Sequence, residues 1–198
     1  MSEAQDLTAL LGSRVCHDLI SPLGAIANGV ELLLMSGAKP SPEVALIAES
    51  VSAANARIRF FRVAFGSAGP DQRMGRSEIV SILTDTMAGS RLTCDWKIAG
   101  EVARPEVKLA FLALQCCESA MPVGGHISVQ RTPGRCTVQA KASRLRMTQH
   151  LWDGIRQPHA LPEVGAADVH FALFSAELAR QGRTPDLYLS ANDILLTF

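Results

Sequence analysis

The stretch RVCHDLISPLGAIANGVELL, residues 14–33, carries the pattern that decides the fold. At about 100° per residue, Leu11, Val15, Leu19, Pro22, Leu23, Ile26, Val30 and Leu33 fall on one broad apolar stripe of a helix, with His17 almost diametrically opposite. The imidazole is therefore expected to face solvent. The helix is predicted from about Ala4 to Met35, ended by Gly37, Pro40 and Pro42. Ser41 is placed to cap a second helix with Pro42 at its first position, which carries Val44, Ile47, Val51, Ala54, Ile58, Phe61 and Phe65 at alternating spacings of three and four. The first stripe covers an arc of roughly 140°, wider than one neighbouring helix fills. A hairpin that pairs with a second copy as a homodimeric four-helix bundle satisfies both seams.

Gly66, Gly69, Pro70 and Gly75 mark a linker, so the hairpin is expected over residues 1–68 and a second domain over 76–198. In that domain the pattern predicts a helix over Ser77 to Met87, a strand over Leu92 to Ile98, and a helix from Pro105 to Met121. After the turn PVGG at 122–125, the alternating segments HISVQR and CTVQAKA, joined by TPGR, read as a β-hairpin. Helices near Met147 to Ile155 and over Ala167 to Gln181, then strands at Leu187 to Ser190 and Ile194 to Phe198, complete an α+β sandwich whose strand order stays open.

Composition narrows the function. With 198 residues, 47% hydrophobic content, and 19 basic against 19 acidic residues, the chain reads as a folded protein with no electrostatic signature of nucleic-acid or membrane-surface binding. No basic-then-apolar leader precedes Leu7, and the apolar run Leu19 to Met35 is broken by Ser21, Pro22, Asn28 and Glu31, which disfavours secretion and membrane spanning. Cys16, Cys94, Cys116, Cys117 and Cys136 form no CxxC pair and read as reduced, buried thiols of a cytoplasmic protein. His126, His150, His159 and His170 show no metal-ligand spacing, and Trp96 and Trp152 read as core.

The chemistry concentrates around His17. Arg14, Ser21 and Asn28 lie at i−3, i+4 and i+11 from it, and Gly24 and Ala25 share the same strip, which is polar and small. Small residues let another protein's backbone approach, and Arg14 is suited to a phosphoryl group. Pro22 cannot donate to the carbonyl of Asp18, so a bend is expected just below His17. Asp18, hydrogen-bonded to Nδ1, would fix the tautomer and leave Nε2 free to attack phosphorus.

HDLISPLGAI resembles the phosphoacceptor box of sensor histidine kinases, with His17, Asp18, Ser21 and Pro22 on the recurring positions. HDLISPLGAIANGVELL resembles more closely the histidine phosphotransferases of the ChpT type, and the two-domain layout extends that similarity over essentially the whole chain. The resemblance implies a dimeric kinase-like bundle followed by a degenerate kinase ATPase domain. It implies partners as well, namely the receiver domain of a hybrid histidine kinase as donor and response-regulator receivers as acceptors, with Mg²⁺ held by the receiver and no cofactor of the chain's own.

LALQCCESAMPVGG resembles the kinase helix that carries a metal-coordinating Asn, but Cys116 stands at that position, and a soft thiol is a poor ligand for Mg²⁺. SRLRMTQ stands where kinases place an Asp with nearby glycines, Asp153 and Gly154 come too late, and VGAADVHFALF with Gly165 alone replaces the glycine-rich phosphate turn. ATP binding is therefore not expected. Two other readings stay open from sequence: an autophosphorylating kinase with a divergent nucleotide site, and a non-catalytic dimer scaffold that binds receivers.

Overall fold

The computed structural model describes residues 7–35, 41–132, 134–157 and 163–198, so Ala4, Gly37, Pro40, Pro133 and His159 lie outside it. The chain divides into two compact units, Met1–Ser67 and Ala68–Phe198.

The first unit is a helical hairpin of α1 (Leu7–Met35) and α2 (Pro42–Ala64). Ser41 caps α2 as the sequence predicts, accepting the Val44 amide, with Pro42 in the first turn. The helices pack antiparallel along a heptad seam. On α1 the seam takes the buried or half-buried Ala9, Ser13, Cys16, Ile20, Leu23, Ala27 and Val30; on α2 it takes Val44, Ala48, Val51, Asn55 and Ile58. Near the open end of the hairpin, the Ser67 amide donates to Ser13 Oγ at 2.9 Å. A Cβ on Gly12 would come within 3.2 Å of the Phe65 carbonyl oxygen, so glycine permits this close approach.

α2 covers only part of the α1 stripe, as the width of its arc leads one to expect. Only Leu23 and Val30 of the predicted stripe turn into the intramolecular seam, whereas Leu11, Val15, Leu19, Ile26 and Leu33 remain exposed. Ile47 of the second stripe is exposed too. A stripe wider than one helix contact has to be shared, and the small side chains Ala9, Ser13, Cys16 and Ala27 let α2 approach on its flank.

The second unit is a five-stranded mixed sheet with helices against one face. Its strands are β2 (Leu92–Trp96), β4 (Gly125–Thr132), β5 (Arg135–Lys141), β6 (Asp186–Leu189) and β7 (Asp193–Thr197), in the order β2-β4-β5-β7-β6. β2 and β4 are parallel and the other neighbours antiparallel. β1 (Arg73–Gly75) and β3 (Glu101–Ala103) form a separate antiparallel pair. β1 occupies part of the stretch read as linker, and three-residue strands are too short to show alternation.

Register stacks the apolar residues in rows: Trp96, Val129, Val138 and Leu196 form one, and Cys94, Ile127, Ala140 and Ile194 the next. α4 (Arg104–Ser119) is covered nearly all round, with Leu109, Phe111 and Leu112 wholly buried. The remaining helices are α3 (Arg76–Met87), α5 (Gln149–Arg156) and α6 (Val169–Arg180), the last preceded by a 3-10 turn at Ala166–Asp168. Lys108 of α4 meets Glu177 of α6 at 3.7 Å, both almost fully buried. Gln181 donates to that carboxylate and to the Pro105 carbonyl, which ties the start of α4 to the end of α6.

The turn after α4 shows why PVGG is needed. Gly124 and Gly125 have φ of 90° and 152°, and a Cβ would lie 2.4 Å from the Arg91 and Lys141 carbonyl oxygens respectively. As the sequence reading expects, Trp96 and Trp152 are core residues, and all five cysteines are free and at least half-buried.

Candidate functional site

α1 carries the candidate site on the side away from its exposed apolar stripe. The His17 side chain is 82% exposed. Its Nδ1 lies 3.3 Å from Asp18 Oδ1, and Arg14 Nε donates to Asp18 Oδ2 at 2.8 Å. An ionised carboxylate only accepts, so the proton of this contact sits on Nδ1 and the Nε2 lone pair is free. Among the described residues Nε2 meets no hydrogen-bond partner.

The hydrogen bond from His17, followed by the contacts with Arg14, holds the Asp18 carboxyl below its ordinary range against the opposing effect of desolvation. Asp18 is thus ionised at neutral pH and can stabilise positive charge on the ring. Pro22 lies inside α1, which stays helical across it; lacking an N–H, it leaves the Asp18 carbonyl without that amide partner.

Below the imidazole the strip continues through Ser21, Ala25 and Asn28, all exposed, and the half-buried Gly24. A Cβ added at Gly24 meets nothing within 4 Å, so packing within this chain does not call for glycine there. Glycine in a helix interior costs about 0.5–1 kcal/mol relative to alanine, which makes an external reason for it the economical one. Arg14, His17 and Asp18 are brought into contact, whereas no hydrogen bond among the described residues joins Ser21 or Asn28 to them. Reading Arg14 only as a ligand for phosphoryl overlooks its bond to Asp18, which the i, i+4 spacing signals.

In the second unit, Cys116 is wholly buried on α4, and burial first, then the neighbouring Cys117, pushes its thiol well above the ordinary value. It stays protonated and turned from solvent. A cavity of about 250 Å³ lies between the end of α4, α5 and the start of α6, lined by residues that include Ser119, Arg146, Thr148, Trp152, Asp168 and Phe171. The Trp152 and Phe171 rings meet edge to face at 5.2 Å. His170 is buried with Nε2 3.4 Å from Ser119 Oγ, His126 contacts Thr93 and Asp95 on the sheet, and His150 is exposed. Among the described residues no group of three or more His, Cys, Asp or Glu is arranged to hold a metal ion.

Residues 76–191 match the family model of the histidine phosphotransferase C-terminal domain. Protein phosphotransferase ChpT of Brucella abortus (strain 2308) is 32% identical over 203 residues, which span 98% of this chain and 95% of that protein. The solved structure of a bacterial phosphotransferase is 27% identical, with a TM-score of 0.66 over 100% of this chain and 97% of that one.

Proposed function

The chain belongs to the histidine phosphotransferase family, and on that premise we propose that His17 is the residue through which it relays phosphoryl groups. The donor is the aspartyl phosphate of a receiver domain, such as that of a hybrid histidine kinase, and the acceptors are the receiver aspartates of response regulators. Nε2 of His17 attacks phosphorus, the bond from phosphorus to the aspartyl oxygen breaks, and the leaving carboxylate keeps the electron pair. The ring gains positive charge while Nδ1–H remains bonded to Asp18. The second transfer reverses these changes onto another receiver. Mg²⁺ is the receiver's own in this reading, and the chain supplies no cofactor.

The observation that carries the proposal is the exposed imidazole with Nδ1 held by an ionised carboxylate and Nε2 open. Ser21 and Arg14 flank the ring, and Gly24, Ala25 and Asn28 form a small, polar surface for the receiver. The exposed stripe of Leu11, Val15, Leu19, Ile26 and Leu33 supports a homodimeric four-helix bundle.

α1 is long and apolar enough, by length and composition, to cross a membrane. In a bilayer Arg14, His17 and Asp18 would be carried into hydrocarbon at a substantial cost, so a bundle helix in the cytoplasm is the better reading. Nucleotide has no part in the proposal. Cys116 offers a buried, protonated thiol in place of an oxygen ligand.

The test mixes the protein with a receiver carrying labelled aspartyl phosphate, without ATP. Acid-labile, base-stable label is expected on the protein, and none on His17→Ala, which keeps its dimer. Equal labelling of His17→Ala would assign the chemistry elsewhere, and binding without any transfer would leave a scaffold.

A further inference from the structure

Residues i and i+1 of a helix point about 100° apart, so adjacent side chains do not ordinarily face each other. His17 and Asp18 nevertheless meet at 3.3 Å. Arg14 sits one turn before Asp18, and its helical azimuth falls between those of His17 and Asp18. Its Nε bond to Oδ2 therefore draws the carboxylate sideways, toward the imidazole, and leaves Oδ1 as the acceptor for Nδ1–H.

Helix stability does not account for this pair. Both partners are largely exposed, and exposed ion pairs contribute little. The basic residue also precedes the acidic one, the less favourable order for an i, i+4 pair relative to the helix dipole.

We propose that Arg14 is a positioning residue that acts through Asp18, holding the carboxylate where it keeps the His17 proton on Nδ1 and Nε2 nucleophilic. This rests on His17 being the phosphoacceptor. It differs from direct contact between Arg14 and the phosphoryl group, because Arg14 then has work to do only while Asp18 is a carboxylate.

A double-mutant cycle separates the two roles. Transfer rates from a phosphorylated receiver are measured for wild type, Arg14→Ala, Asp18→Asn and the double variant. Arg14→Ala is expected to slow transfer about ten-fold through misorientation of the ring, and the double variant to match Asp18→Asn alone. An equal ten-fold loss on the Asp18→Asn background would place Arg14 on the phosphoryl group or the receiver and overturn the proposal. Nitrogen-15 NMR of the His17 ring gives a readout that needs no transfer. The Nδ1–H tautomer should dominate in wild type and lose population in Arg14→Ala, with partial recovery in Arg14→Lys. An unchanged tautomer in Arg14→Ala would also overturn it. Should His17→Ala label like wild type, the acceptor assignment fails separately, whatever the ring spectra show.

Discussion

A solvent-exposed imidazole is an ordinary feature; its pairing with a carboxylate at Nδ1 is what the proposed relay relies on. The sign of the Asp18 shift gives this arrangement a pH signature. Because the folded chain lowers the carboxyl pKa, the ionised form and its bond to the ring are retained above that lowered value and lost as pH falls through it. The Asp18 carboxyl carbon, followed by carbon-13 NMR, should titrate with a midpoint below the ordinary value of about 3.9. His17→Ala removes the largest cause of the shift, so the midpoint should move up toward that value. An identical midpoint in the two proteins would mean that the ring does not hold the carboxylate. The thiols behave in the opposite sense, since burial first and neighbouring charge after it push Cys94, Cys117 and Cys136 up to about 12, as suits packing residues.

On α1 three distinct faces share one cylinder. One flank, from Ala9 to Val30, meets α2; the stripe from Leu11 to Leu33 is left exposed; the face with His17 takes the remaining arc. Val15 and Leu19 are each about half exposed, at 48% and 46%, so covering them in a dimer is worth roughly 1 kcal/mol per side chain. In a symmetric dimer the two residues count twice. Val15→Glu combined with Leu19→Glu should weaken dimerisation more than about 100-fold, because apolar burial is lost and charges would have to be desolvated. Sedimentation equilibrium is expected to show a dimer for wild type and a monomer for this variant, with helix content by circular dichroism largely kept. A variant that stays dimeric would move the interface to another face.

At the scale of the whole molecule, the second unit is a mixed sheet with a helical layer, and the proposed function gives it no part in holding metal or nucleotide. Incubation with labelled ATP and Mg²⁺, without any receiver, should leave His17 unlabelled; label there would make the protein a kinase. Much of this was legible in the sequence. The period of α1 placed His17 on the exposed face, Ser41 and Pro42 marked the start of α2, and the hairpin of β4 and β5 followed from alternation around a Pro-Gly turn. These features are local, fixed by backbone geometry over a few residues, and a single sequence expresses them directly. β1 and β3 were not legible, because strands of three residues carry no period. The bond from Arg14 to Asp18 was within reach of its spacing, but rotamers rather than spacing decide which partner a guanidinium takes. The sequence by itself therefore determined the helical hairpin and the exposed face that carries His17 beside Asp18. Only the tertiary structure decided the order β2-β4-β5-β7-β6, which half of the apolar stripe α2 covers, and how the core closes over Cys116. Those outcomes depend on side-chain volume and pairing between segments far apart in the chain, where many arrangements satisfy the same local pattern and close packing selects one.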